Sequence, residues 1–179
     1  MRRKDHVQQV LDQWRLEAPG LDRSPFGVIG RIARLAQLFE AELEPVFMTH
    51  GLNGGEFDVL AALRRVGRPY RLTPTELSTA LIVTSGGMTK RLKMLEGRGL
   101  VRRERDPHDG RSTTVSLTPQ GKRLVDATLA EHTSNEERLL SGLSTKQRSE
   151  LARLLETLAI SLGDDADKRL RVGAPGRRR

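Results

Sequence analysis

The chain has no cysteine, one tryptophan and one tyrosine, and aromatic residues make up 3% of its 179 positions. Without a thiol there is no disulfide, no thiolate metal site and no sensing through a reactive sulfur. The four histidines, His6, His50, His108 and His132, are scattered, and none stands three or four residues from another. A metal site would have to be assembled from carboxylates and lone imidazoles, so none is expected. No apolar run approaches the roughly 20 residues of a spanning helix. Met1-Arg2-Arg3-Lys4 leads into no apolar signal core. A cytoplasmic protein without a membrane partner is the expectation. There is also no nucleophile–base set, no phosphate-cradling glycine loop and no cofactor motif, which argues against an enzyme.

What the chain does have is positive charge. Lysine and arginine number 31 against 23 acidic residues, a net +8, with a pI of about 10.7. Half of that excess lies in residues 84–111, where Lys90, Arg91, Lys93, Arg98, Arg102, Arg103, Arg105 and Arg111 outweigh Glu96, Glu104, Asp106 and Asp109. A local excess of this kind marks a contact for a polyanion.

The same stretch has a readable architecture. Thr73-Pro74-Thr75-Glu76 is a capping box with proline at the first helical position, and Leu77, Ala80 and Leu81 give the short helix it opens one apolar side. After a turn, Thr84 or Ser85 can cap a second helix reaching about Gly97. On a helical wheel Met88, Leu92 and Leu95 fall within about 60° of one another. Gly86, Lys90, Lys93 and Met94 face the opposite way. One packing face and one basic face suit a helix that enters a major groove. Gly86 and Gly87 either fray the helix start or leave its N–H groups open to a phosphate.

Beyond Gly99 the period falls from 3.6 to 2. Residues 100–105 and 112–117 read as two strands of a hairpin. Between them Asp106-Pro107-His108-Asp109-Gly110-Arg111 is a turn with a basic tip. Arg111 suits a narrow minor groove, and Asp109 can orient its guanidinium; the plain alternative is a surface ion pair of little consequence.

Asp109-Gly110-Arg111, five residues, then Leu117-Thr118 matches the D-x-R-x5-L-T wing signature of the MarR-type regulators. Leu95-Glu96-x-x-Gly99-Leu100 before it and Leu117-Thr118-Pro119-Gln120-Gly121 after it continue the match. The chain resembles that family over roughly residues 24 to 162. The resemblance implies a mainly α fold with a small β-hairpin wing, a winged helix-turn-helix lobe at 53–117, and dimerisation helices from both chain ends at 5–49 and 118–162. It implies a homodimeric transcriptional regulator, usually a repressor of an inverted-repeat operator released by a small ligand. The rival reading is a nonspecific nucleoid or architectural DNA-binding protein without ligand control.

The outer segments fit that plan. Val7, Val10, Leu11 and Trp14 line one face of a helix from Asp5 to Glu17. A long helix from Ser24-Pro25 to about Thr49 carries Phe26, Ile29, Ile32, Ala33, Ala36, Phe39, Leu43 and Phe47 on faces broad enough to need partners on two sides. Asn53-Gly54-Gly55-Glu56 caps the next helix, which Gly67-Arg68-Pro69 ends. Thr118-Pro119 starts a helix running to about Leu139-Leu140. Ser144-Thr145-Lys146-Gln147 caps a last one with Leu151, Leu154, Leu155, Leu158 and Leu162. That stripe either folds on its own body or, as the resemblance implies, pairs with a second subunit. Residues 163–179 are polar, end in three arginines, and are expected to be a mobile basic tail.

The added N-terminal helix with Trp14 narrows the resemblance to the urate-responsive branch, the HucR- and PecS-like regulators. It implies an effector site at Trp14, Asp58, Thr89, Arg91 and Arg103 for a small anionic aromatic such as urate or a phenolic acid. Thr89 stands where several members carry serine. Plainer roles exist for three of them: Trp14 as core, Asp58 as a favourable charge near a helix start, Arg91 in a structural pair with its stem along the core. For DNA the expected contacts are Ser85, Lys90 and Lys93 in the major groove, Gly86 at the helix start, and Arg111, oriented by Asp109, in the minor groove.

Overall fold

A computed structural model describes residues 3–81, 83–105 and 113–164. The elements run α1 (His6–Glu17), α2 (Ser24–Thr49), α3 (Gly54–Arg65), β1 (Arg71–Leu72), α4 (Pro74–Leu81), α5 (Ser85–Gly97), β2 (Val101–Arg105), β3 (Thr113–Leu117), α6 (Pro119–Leu139) and α7 (Thr145–Ser161). Two compact units result, Met1–Pro45 and Val46–Arg179.

In the first unit the Asp5 side chain caps α1 by accepting from the Gln8 amide at 2.6 Å. Arg31 of α2 donates to the same carboxylate at 2.8 Å, and this pair holds the Asp5 pKa below its ordinary value. The helices approach closely where a Cβ on Gly30 would lie 3.2 Å from Val7. Between them runs an open apolar cleft of about 460 Å³. α1 buries none of its residues, and α2 buries only Phe47, which lies beyond Pro45.

The second unit is built on caps that the sequence announces. Asn53 and Glu56 form a complete box at α3, Thr73 and Glu76 exchange bonds at α4, Thr84 caps α5, Thr118 caps α6 and Ser144 with Gln147 boxes α7. Each satisfies N–H groups that a helix start leaves without partners. The core gathers Val59, Leu60 and Leu63 of α3, Leu77 of α4, Met88, Leu92 and Leu95 of α5, Leu100, Val101, Val115 and Val125. Arg64 ties α3 to α6 through Asp126 at 2.7 Å.

One feature departs from the sequence reading. The expected two-stranded ribbon is a three-stranded antiparallel sheet in the order β1-β3-β2, because Arg71 and Leu72 pair with Ser116 and Val115. A two-residue strand is too short to carry a period-2 signal, and its ladder partner lies more than forty positions away. α2 runs through Pro45 to Thr49, as its apolar stripe predicts, although proline leaves the carbonyl four residues back without its helical donor. β2 pairs with β3 in register from Val101–Leu117 to Arg105–Thr113. At the base of this hairpin Thr118 donates to the Gly99 carbonyl at 2.7 Å, and Gly99 holds φ +67°. Gly121 fits there because a Cβ would come within 2.0 Å of the Leu100 carbonyl oxygen.

Candidate nucleic-acid interface and effector site

α5 is two-faced as its wheel predicts. Met88, Leu92 and Leu95 are at most 1% exposed, while Ser85, Gly86, Lys90, Lys93 and Met94 all face solvent. Thr84 accepts from the Gly87 amide, which orders the glycine-containing first turn. A Cβ on Gly86 would meet nothing within 4 Å, so the backbone there is open to a close approach. The unit thus offers a capped helix with exposed lysines, a helix before it and an antiparallel hairpin after it. Asp109 and Arg111 lie outside the described residues, as do His108, Ile82 and the tail 165–179.

The base of the wing is laced by ion pairs. Glu104 lies 2.9 Å from Arg102 and 3.6 Å from Arg71. Arg103 approaches Glu96 of α5 at 3.2 Å, close enough for charge attraction but without hydrogen-bond geometry at its Nε.

Of the five effector residues, Asp58 and Arg91 come together. Arg91 turns away from the groove-facing lysines and lays its guanidinium over the start of α3, where a Cβ on Gly55 would fall 2.6 Å from its Cζ. Asp58 is open to solvent on this protomer. Desolvation by the surrounding protein nevertheless raises its pKa above the ordinary carboxylate value, against the pull of Arg91, His132 and Arg65. Thr89 donates its hydroxyl to the Ser85 carbonyl at 2.9 Å. Arg103 faces Glu96 as described. Trp14 belongs to the first unit and is 44% exposed. The cleft between α1 and α2 includes none of the five in its lining.

Composition and spacing passed over one neighbour of Asp58. His132 of α6 lies tilted against Phe47 and Phe57, with ring centroids 5.2 and 5.0 Å away, and its buried Nδ1 has no partner among the described residues. Only the packing of α6 on α3 brings it beside Asp58. Its sole sequence signal was a half-polar residue at an inward helical position.

The helix, turn, helix and three-stranded wing define a winged helix-turn-helix protein. A MarR family profile matches residues 50–112. The HTH-type transcriptional regulator PecS of Dickeya dadantii (strain 3937) is 38% identical over 155 residues, covering 87% of this chain and 93% of its own. The chain belongs to the MarR family of transcriptional regulators, which are non-enzymatic DNA-binding proteins. Among solved structures, a MarR variant from E. coli complexed with operator DNA shares the fold with a TM-score of 0.65 at 22% identity, covering 87% of this chain and 99% of that one. Bordetella bronchiseptica BpsR, described for regulation of its DNA binding by 6-hydroxynicotinic acid, shares it with a TM-score of 0.66 at 24% identity, covering 74% and 92%. Among the described residues no helix is long and apolar enough to cross a membrane.

Proposed function

We propose that this regulator is a homodimeric, cytoplasmic repressor that reads an inverted-repeat operator and is released by a small anionic aromatic ligand. The observation that carries the DNA-binding half is the division of α5 into a buried apolar face and an open face with Ser85, Gly86, Lys90 and Lys93. Lysines on an exposed helix face neutralise phosphates, while Ser85 at the helix start reaches base edges. Asp109 and Arg111 would serve the minor groove beside it. The operator complex of the E. coli relative supports this docking mode.

The dimer is supported by the helices of the chain ends. Ile29, Ile32, Leu35 and Leu38 of α2 and Leu151, Leu154, Leu155 and Ile160 of α7 are all at least 37% exposed in one protomer. Apolar surface in such stripes marks an interface. Two subunits then place two α5 helices on half-sites about one helical turn, roughly 10 bp, apart.

The effector half is supported by Arg91 and Asp58. A guanidinium directed away from the DNA face, beside a carboxylate that desolvation by neighbouring groups makes reluctant to ionise, is suited to an anion. The planar anion would bind Arg91 and displace the Asp58 charge, moving α5. Regulation of the BpsR relative by a hydroxylated aromatic acid agrees with this class. Coupling of about 1–3 kcal/mol would weaken operator binding about 5–150-fold.

Footprinting on the region upstream of the gene, with and without urate, 6-hydroxynicotinate and a series of phenolates, tests both halves. Protection of a dyad lost with one of these ligands is expected, and Arg91→Ala should abolish the loss but not the protection. A nonspecific architectural protein would instead bind every duplex within a small factor at fixed salt, whereas a repressor prefers its operator about 10³-fold or more.

A further inference from the structure

Arg91 and Arg98 stand seven residues apart on α5, so they share a face. Both reach the first turn of α3, Arg91 over Gly55 and Arg98 at Glu56. Glu56 is one of the few charged groups withdrawn from water, 6% exposed. A carboxylate so buried needs its oxygens satisfied. Its Oε2 accepts from the Asn53 amide at 3.2 Å and from Arg98 Nη1 at 3.3 Å. Arg98 is also the C-cap of α5, and its other terminal nitrogen lies 3.6 Å from the Cβ position of Gly51, in the turn that follows α2. One guanidinium therefore meets the end of α5, the start of α3 and the end of α2.

We propose that Glu56 and Arg98 are a positioning pair for DNA recognition: their bond fixes the pose of α5 against α3, so that Ser85, Lys90 and Lys93 meet one operator register. Neither residue touches DNA in this account. The inference rests on the reading of α5 as the recognition helix. Arg98 is one of two charge ties at the last turn of α5; the other, Arg103 to Glu96, lacks hydrogen-bond geometry at its Nε. The helix's apolar contact is a narrow stripe of three side chains, about which a rod can roll or tilt. A charge-assisted bond at its last turn removes that freedom, and a few degrees of tilt at the C-terminus displaces the N-terminal side chains by an ångström or more over a 13-residue helix.

The decisive variant is Glu56→Gln. Glutamine keeps the capping box, since its amide oxygen still accepts from Asn53, and removes the negative charge that strengthens the Arg98 bond. It also raises the net positive charge, so electrostatics alone predicts tighter binding to any DNA. Positioning predicts the reverse for the operator. The experiment selects a preferred duplex from a random pool with the wild-type protein. It then measures affinity for that duplex and for a scrambled one at fixed salt, at a temperature well below each variant's unfolding midpoint. The expected result is that Glu56→Gln and Arg98→Met lower the operator-to-scrambled ratio about tenfold. Arg98→Lys should recover part of it, and the double variant should be no worse than either single one, as expected for partners in one contact. A purely structural pair would lower the melting temperature and leave the ratio unchanged. If Arg98→Met fails to fold, Glu56→Gln and Arg98→Lys carry the test. A ratio kept at the wild-type value in Glu56→Gln overturns the proposal. A wild-type protein that selects no sequence from the pool overturns the recognition-helix reading beneath it.

Discussion

The winged lobe and the chain-end helices use the same kind of apolar periodicity and end in opposite states. In the lobe, Leu60, Leu63, Leu77, Leu92 and Leu95 are at most 1% exposed. In α7, Leu154 and Leu155 have the same helical spacing and remain about half open, and α1 and α7 bury nothing at all. The lobe closes on itself because four helices and a sheet surround one centre. The end helices present stripes that the described residues leave open. A periodic apolar stripe specifies that a face will be covered, not by which chain.

That contrast can be broken most severely at the lobe's tightest contacts. Gly121→Ala would drive a methyl into the Leu100 carbonyl, and since backbone cannot swing aside as a side chain can, a loss of at least about 3 kcal/mol is expected. Leu60→Ala should cost about 2–5 kcal/mol. Urea unfolding measures both, and Gly142→Ala, with open space around its Cβ, is the control expected to be near neutral.

Charging the open stripe should act on assembly instead. Leu154→Glu with Leu155→Glu is expected to give a folded monomer by sedimentation at micromolar concentration. Its helical circular dichroism should persist, and its operator affinity should fall at least about tenfold, or 1.4 kcal/mol. If the variant stays dimeric and binds normally, the open stripes are not the interface.

A smaller effect separates reading from steering. Lys93→Ala should lower affinity on all duplexes alike and reduce the slope of log affinity against log salt by about one. Lys146→Ala, on the distant start of α7, should leave the slope unchanged.

The smallest expected effects concern two carboxylates of the same unit with opposite shifts. Asp58 has a raised pKa, so in the window between its ordinary and folded values the native state holds the extra proton. Its contribution is therefore present at low pH and lost as pH rises through that window. Asp126 is held low by Lys122 and Arg64, so its contribution is present above the ordinary carboxylate value and lost as pH falls. Thermal melts from about pH 3 to pH 7 should show Asp58→Asn gaining on wild type as pH rises. Asp126→Asn should fall behind over the same rise.

Local signals carried most of the helix boundaries. The capping boxes at Asn53, Thr73 and Ser144 and the caps at Thr84 and Thr118 are satisfied by bonds to residues three positions on, so four residues of sequence contain the whole interaction. The inward stripe and outward lysines of α5 follow from a fixed 100° step per residue. The direction of Arg91 was legible for the same reason. β1 was not, because the strand it pairs with lies far along the chain. The place of His132 beside Asp58 and the ring stack around it were not legible either, since α6 must pack on α3 before they are neighbours.

What the sequence by itself determined is therefore whatever closes within a turn or two of chain: caps, helix faces, the hairpin, and the concentration of positive charge between residues 84 and 111. Only the tertiary structure decided which of those faces meet. It set Arg98 against a buried Glu56, Gly121 against the Leu100 carbonyl and Arg91 over Gly55, each a contact across 20 residues or more. Such meetings depend on how rigid elements dock in three dimensions, and no short-range pattern encodes a docking.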